Sequence, residues 1–401
     1  MQRDFPVRDG AASPDKGRAG TVRHVAVMML APFASGAEHQ TLALCRYLRQ
    51  RCRVTLLTND EFADLLQSDA FLSRYTSGLE VLRLGPAFPS APASTLGGLK
   101  QRSSLYPKLQ FRAWQALRRL RPDLVHLILT PSFFAYAPLF HVLQLPVVMT
   151  LSGEMRYVRH FYGPVKRRAV HYAVSQADAL VVCSADELEN LRAAHPESLG
   201  KAHVLDNFTD VARFSPGQKD EALVTFAARL HAEKGALLFL DAVARIHRSL
   251  PHARFALLGR GELAGAVDQR IAELGLSDVV ERGFVTDLAP HLARSSIFVS
   301  CQLIENLGSS SLLEAMASAN AVVATDVGQT WRVVDDAVGL RVPSTASAVA
   351  EGIEKLLIDA TARRQKARAA RQRVEERYGP TRYVSVLTTI YGGAMAARTR
   401  Q

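Results

Sequence analysis

The chain has 401 residues, 48% of them hydrophobic, with 49 Lys and Arg against 38 Asp and Glu, a net charge of +11 and a pI of about 9.7. That length suggests two to three domains, and the apolar content excludes a disordered bulk. The basic balance favours acidic partners (nucleotide sugars, anionic lipid headgroups or nucleic acid), while four cysteines without a C-x-x-C pair and 12 scattered histidines without H-E-x-x-H give no metal-type spacing.

Residues 1–22 are polar, lack an apolar core and read as a disordered tail rather than a signal peptide. His24 to Leu30 reads as a buried strand, Pro32 to Glu38 as a turn, Glu38 to Arg49 as a helix and Arg53 to Thr58 as the next strand. This is a βαβ opening with its turn at a helix start. Leu84 to Tyr106, rich in Pro, Ser, Gly and Ala, reads as a long loop, and Gln110 to Arg121 as a basic helix. Leu124 to Gly153 carries no Asp, Glu, Lys or Arg and is long enough for a membrane span. Pro131, Pro138, Pro146, His126 and His141 interrupt it, so strand, helix and strand of a covered parallel sheet fit better. Arg156 to Tyr172 mixes basic and aromatic residues, which suits an anionic membrane surface or a helix with a solvated basic face. Ala179 to Cys183 is a further strand, and the polar Pro216 to Glu221 marks a linker.

The second half restarts the pattern, with strands at Leu223 to Ala227, Arg254 to Leu258, Val279 to Glu281, Ile297 to Ser300 and Ala321 to Thr325. Arg229 and Lys234 follow the first of these, at the carboxyl edge where α/β ligands sit. Arg offers a planar fork to phosphate oxygens and Lys a compact charge. Gly259-Arg-Gly261 does not complete G-x-G-x-x-G. Glu305 and Glu314 flank a Gly- and Ser-rich turn that opens a helix, whose first amides favour anions. The stretch suits a ligand with a phosphate end and a polyol end. Ser311-Leu-Leu-Glu314 also reads as a capping box, as do Ser35 to Glu38 and Ser184 to Glu187. Thr361 to Arg400 is helical and Arg-rich.

Glu305-Asn-Leu-Gly308 with Ser311-Leu-Leu-Glu314-Ala-Met-Ala317, Arg229-Leu-His-Ala-Glu-Lys234-Gly235, and Asp206-Asn207 followed by Phe214-Ser-Pro216 together resemble the retaining glycosyltransferases of family 4. The likeness covers Pro146 to Val342 well and Arg23 to Asn59 loosely. It implies an α/β GT-B fold, two Rossmann-like domains facing across a cleft. Residues 23–205 would form the acceptor side, 206–377 the donor side, and 378–401 a helix crossing back. The implied reaction moves a sugar from a nucleotide-diphosphate sugar to a sugar or lipid-linked hydroxyl acceptor, in bacterial polysaccharide or glycolipid biosynthesis. It needs no cofactor or metal beyond the donor. A cytoplasmic protein is expected, with peripheral contact to an anionic membrane and no nucleic-acid partner.

By the same resemblance, Arg229 and Lys234 would stabilise the leaving diphosphate and Glu314 would hold the ribose hydroxyls. Glu305 or Asn306 would hold sugar hydroxyls, helped by the amides of Leu307, Gly308, Ser309 and Ser310. Gly283 to Val285 would line the base, Gly36 would leave room for the substrates, and Asn207 would mark the domain junction. The family motif is Glu-x7-Glu, but Glu305 and Glu314 are separated by eight residues, which puts Asn306 at the strict first position. Ser152 stands where relatives often carry a strand-end His. These departures keep a non-catalytic GT-B scaffold or partner subunit as the alternative, with a phosphorylase or epimerase as a second enzyme reading.

Overall fold

The uninterrupted apolar runs become the strands of two parallel sheets. A computed structural model describes residues 22–34, 36–87, 96–128, 130–153, 155, 156, 158, 162–306 and 308–399. The expected tail, residues 1–22, lies outside them but for Val22. The first sheet holds β1 (His24–Met29), β2 (Arg53–Thr58), β3 (Glu80–Arg83), β4 (Leu124–Ile128), β5 (Val147–Leu151), β6 (Ala179–Val182) and β7 (Ala202–Val204), in the order β3-β2-β1-β4-β5-β6-β7. The second holds β8 (Asp220–Ala227), β9 (Arg254–Leu258), β10 (Val280–Gly283), β11 (Ser295–Ser300), β12 (Ala321–Thr325) and β13 (Gly339–Val342), in the order β10-β9-β8-β11-β12-β13. All pairs are parallel. Each order reverses beside its first strand, between β1 and β4 and between β8 and β11. Such switch points open a crevice at the carboxyl ends of the strands.

Helices cover both faces of each sheet. The first half carries α1 (Gly36–Leu48), α2 (Asp60–Ser68), α3 (Ala70–Tyr75), α4 (Leu96–Leu120), α5 (Thr130–Leu143), α6 (Pro164–Ser175) and α7 (Ala185–Ala194). The second carries α8 (Ala236–Ser249), α9 (Ala264–Glu273), α10 (Ala289–Arg294), α11 (Ser310–Ala317), α12 (Ala346–Ile358), α13 (Ala360–Arg377) and α14 (Pro380–Thr399). The expected loop from Leu84 to Tyr106 is shorter than its composition suggested, because α4 begins at Leu96. Leu105 and Tyr106 pack against the core that Leu109, Ala113 and Leu117 complete, so the apolar stripe runs further back than the Ser- and Gly-rich sequence advertises. The uncharged run is β4, α5 and β5, and among the described residues no helix is long and apolar enough to cross a membrane.

The Arg-rich tail is two helices broken at Gly379-Pro380, and the second returns to the first sheet. Tyr383, Val384, Leu387, Ile390, Tyr391 and Ala394 of α14 pack with Val25, Val27, Val148 and Val181. His126 on β4 fixes the register of this contact. Its ring bonds Tyr391 Oη and Thr150 Oγ1, each at 2.7 Å. Complete burial pushes its pKa down to about 3, so the ring is neutral and pairs one donor nitrogen with one acceptor nitrogen. Tyr391→Phe would leave one buried ring nitrogen without its partner. Stability should fall by about 1–3 kcal/mol, read as a lower denaturant midpoint; an unchanged midpoint would mean that the pair contributes nothing.

Candidate active site

A cleft of about 790 Å³ opens where the carboxyl ends of the two sheets face each other. Helix α1 enters it from the first half and α11 from the second. Their N-terminal ends come so close that a Cβ on Gly36 would sit 3.3 Å from Ser310 Cβ. Each helix start carries partial positive charge and free amides. Two of them pointing into one cleft repel each other until an anion lies between them.

The start of α11 differs from the capping-box reading of Ser311. Ser309 stands at the N-cap, and no side chain caps the helix. Ser311 is already inside the first turn, so its hydroxyl cannot act as the cap, and Glu314 is left facing the cleft. At Ser184 the expected box does form, with Ser184 Oγ accepting the Glu187 amide at 3.1 Å. Ser35 lies outside the described residues.

Arg229 and Lys234 are held by backbone packing. The loop after β8 turns through Ala232–Lys234 into Gly235, which has φ +72°. A Cβ there would collide with the carbonyl of Cys301 at the end of β11. Gly259 and Gly261 press on the backbone of Ala228 and Leu230, where a Cβ would also collide. The Gly-Arg-Gly sequence therefore serves close approach to the Arg229 loop. Lys234 Nζ donates to Gln302 Oε1 at 2.8 Å and lies 3.7 Å from Glu233. Burial pushes its pKa down, partly countered by Glu233.

Glu314 has no side-chain hydrogen-bond partner among the described residues. Burial raises its pKa to about 7, with Arg213 working against the rise and Asp287 adding to it. Arg213 pairs with Asp287 at 2.9 Å, and its guanidinium lies 4.3 Å from the Phe71 ring centroid and 4.6 Å from that of Phe214. At the mouth of the cleft, Arg260 stacks between Phe33, at 5.0 Å, and Phe284, at 4.2 Å, one aromatic from each half.

Of the residues singled out in the sequence, Arg229, Lys234 and Glu314 line this one cleft, together with Gly36, Ser152, Asn207, Val285, Gly308, Ser309 and Ser310. Asn207 also has a holding role: its side-chain amide donates to the Gly308 carbonyl at 2.7 Å. The first-carboxylate reading is corrected at both positions. Glu305 is not among the cleft-lining residues; its carboxylate accepts the Gln329 amide at 2.9 Å. Asn306 is fully buried, accepting from Ser300 Oγ and donating to the Thr325 carbonyl and to Thr330 Oγ1. Gly283 ends β10 with its carbonyl on the Gly259 amide, and Phe284 and Val285 reach the cleft in its place. Leu307 lies outside the described residues. Sequence reasoning missed Arg213, His39, Arg260 and Gln302, which all line the cleft. Arg213 stands two residues before the Ser215-Pro216 pair and Arg260 inside Gly259-Arg-Gly261, but neither motif assigned them a role.

Two family models match the chain: one described as Glycosyltransferase Family 4 over residues 34–213, and one described as Glycosyl transferases group 1 over residues 221–359. A glycogen synthase of Mycobacterium tuberculosis is 27% identical over 276 residues, 64% of this chain and 65% of that protein. The chain thus spans slightly less than two thirds of that relative's length. An alpha-D-kanosaminyltransferase of Streptomyces kanamyceticus is 24% identical over 60% of this chain and 68% of its own. The fold resembles that of Anabaena Alr3699/HepE, solved with UDP and glucose, with a TM-score of 0.73 at 19% identity, covering 90% of this chain and 97% of that one. It also resembles a sucrose-phosphate synthase of Thermosynechococcus elongatus, with a TM-score of 0.74 at 19% identity, covering 94% and 100%. The two parallel sheets and their facing carboxyl edges are the GT-B arrangement.

The raised pKa of Glu314 has a consequence for stability. A carboxyl that titrates near 7 when folded and near 4.5 when unfolded binds more protons in the native state, so stability is lost as pH rises between those values. Glu314→Gln removes that loss. The variant should be more stable than the parent at pH 8, on the order of 1–3 kcal/mol, with the gap closing towards pH 4.5. Denaturant midpoints at the two pH values check this; an equal gap at both would assign the effect to packing.

Proposed function

We propose that this chain, which belongs to the family 4 and group 1 glycosyltransferases, moves a sugar from a nucleotide-diphosphate sugar to a hydroxyl acceptor with retained anomeric configuration. One observation carries the reading: two cations, two helix N-termini and a carboxylate without a donor share a single cleft. A diphosphate with a ribose at one end supplies what each of them lacks.

Arg229 and Lys234 neutralise the charge that grows on the diphosphate as the sugar leaves. Such electrostatic stabilisation is usually the largest single contribution to this kind of chemistry. The amides at the start of α11, at Gly308 to Ser310, hold the phosphate and sugar oxygens. Glu314 accepts hydrogen bonds from the ribose hydroxyls, which its ionised form does better than its protonated one. Phe284 and Val285 line the base, and the Arg260 stack closes the mouth beside it. Lys234 keeps its orientation through Gln302. Ser152 and Gly153, on the opposite wall, face the acceptor. With Glu305 and Asn306 engaged elsewhere, sugar hydroxyls fall to the α11 amides.

Residues 23–205 carry the acceptor side in this reading and residues 206–377 the donor side, with the last helix tying them together. Anabaena Alr3699/HepE was solved with UDP and with glucose, which makes uridine donors the first to test. The relatives' names point to a polysaccharide or glycoside product, and a lipid-linked acceptor would bring the protein to the inner face of the membrane. A non-catalytic scaffold keeps one specific support, Ser152 in place of a strand-end His.

Arg229→Ala and Lys234→Ala should each lower turnover on the order of a hundredfold while the fold is kept. Product release from uridine and other nucleotide sugars, with the anomer read by NMR, measures this. An unchanged rate in either variant overturns the assignment of that residue. Nucleotide-induced thermal stabilisation without transfer to any acceptor would select the scaffold.

A further inference from the structure

The whole positive charge of the chain comes from one segment. Between Glu80 and Asp178 there are 13 Lys and Arg against two acidic residues, Asp123 and Glu154, a net +11 that equals the charge of all 401 residues. This segment contains α4, α5 and α6, and none of the three helices has an acidic residue.

These helices lie side by side on one face of the first sheet, α4 against α5 and α5 against α6. Their inner residues, such as Leu109, Tyr136 and Val170, fill the core beneath. The outer residues form a surface that is both basic and apolar. Phe111 is 56% exposed, Val142 68% and Tyr172 44%. Phe111 stacks on Trp114 at 5.9 Å, and Arg118 caps the Trp114 ring at 4.8 Å. Lys108, Arg118, Arg119 and Arg168 are exposed on the same helices, and none pairs with a carboxylate among the described residues.

Acids at the rim are engaged elsewhere. Asp123 accepts the Arg23 and His24 amides at 2.6 and 2.8 Å. Asp178 takes the Val147 amide and pairs with Arg398 at 3.5 Å, and Glu197 faces His195 at 3.1 Å. Several arginines of the second half are, by contrast, paired. Arg364 pairs with Glu221 and Arg373 with Asp335. This face thus combines uncompensated cations with large exposed side chains among the described residues.

We infer that the α4–α5–α6 face docks on an anionic lipid bilayer. Cations meet the headgroups while Phe111, Val142 and Tyr172 enter the acyl boundary, and no helix spans the membrane. Val142, 68% exposed, favours a bilayer over a nucleic acid: a phosphate backbone would use the cations and bases could stack on Phe111, but neither gains from exposed aliphatic surface. This deepens the membrane-contact part of the function proposed above and names its surface. Its test does not involve the cleft, so failure here leaves the transfer reaction standing.

The test is co-sedimentation of the full chain with phosphatidylcholine vesicles and with vesicles half phosphatidylglycerol, at low salt and at 0.5 M salt, the levels being about 0.05 M and 0.5 M. Binding should require the anionic lipid and weaken with salt. Arg118→Glu with Arg119→Glu should lower the partition coefficient by at least about tenfold, since each cation near such a surface is worth several-fold. Phe111→Ser should lower it further without changing the salt response. Arg368→Glu with Arg377→Glu, the same charge change on exposed α13, should leave binding nearly intact, and unfolding midpoints confirm that each variant is folded. Equal loss with the α13 pair, unchanged binding in the α4 pair, or binding to an RNA oligomer but not to vesicles would each overturn the proposal.

Discussion

A carboxylate left without a hydrogen-bond donor, in a cleft that also holds two cations, is the feature on which the rest of the molecule depends. Glu314 is not neutralised by Lys234, which is held by Gln302, nor capped onto its own helix. Arg213 attracts it but is anchored on Asp287 and packed among Phe71, Tyr75 and Phe214. Leaving such a group half-buried and unpaired is unfavourable, and folded proteins usually avoid it. Here the surrounding framework is rigid enough to impose it. The unsatisfied donors of two helix starts and the unsatisfied acceptor of Glu314 are complementary to the two ends of one ligand.

That rigidity comes from backbone contacts and from the junction between the halves. Glycines at 235, 259 and 261 let three strand ends approach more closely than any side chain would permit, which fixes the loop of Arg229 and Lys234. Asp210, just past the junction, receives the hydroxyls of Tyr47 at 2.6 Å and Tyr75 at 2.9 Å from the first half. Gln329 reaches Asp186 across the halves at 2.6 Å. Helix α14 completes the link by returning to the first sheet over His126. The second half is thus tied to the first at the junction, through α14 and at the rim, while the Arg260 stack bridges the mouth through contacts that involve no backbone pairing.

Much of the fold was legible because parallel strands buried on both faces must be continuous apolar runs, and β1, β4, β5, β6 and β12 are such runs. Arg229 and Lys234 were legible because cations in a loop after a strand are placed by topology alone. Glu305 and Asn306 were not. Adjacent residues in a loop give no local sign of which side chain turns inward, and the groups that capture Asn306, Thr325 and Thr330, are 19 and 24 residues away. The capping-box reading failed for a local reason: the helix starts two residues earlier, with Ser309 at the N-cap, which puts Ser311 in the first turn and leaves Glu314 facing the cleft. The loop before α4 was overestimated because Gly and Ser lower helix propensity without forbidding a helix that has a core to pack on.

Net charge misleads in a comparable way when it is read without position. A pI near 9.7 suggests a uniformly basic molecule. Yet outside the segment from Glu80 to Asp178 the acids and bases balance, and many arginines of the second half hold carbonyls and carboxylates: Arg371 alone binds the carbonyls of Val211, Phe214 and Ala317. Those cations are structural, and a partner could reach them only by breaking what they hold. The cleft cations are different again: Lys234 is half-buried beside Gln302, while Arg229 and Arg260 are exposed along the cleft walls. Three populations of positive charge therefore have three different physical roles in one chain, and only burial and pairing tell them apart. A ligand that follows the field of the whole protein arrives at the α4–α5–α6 face, whereas one that needs directed donors finds them only between the two sheets.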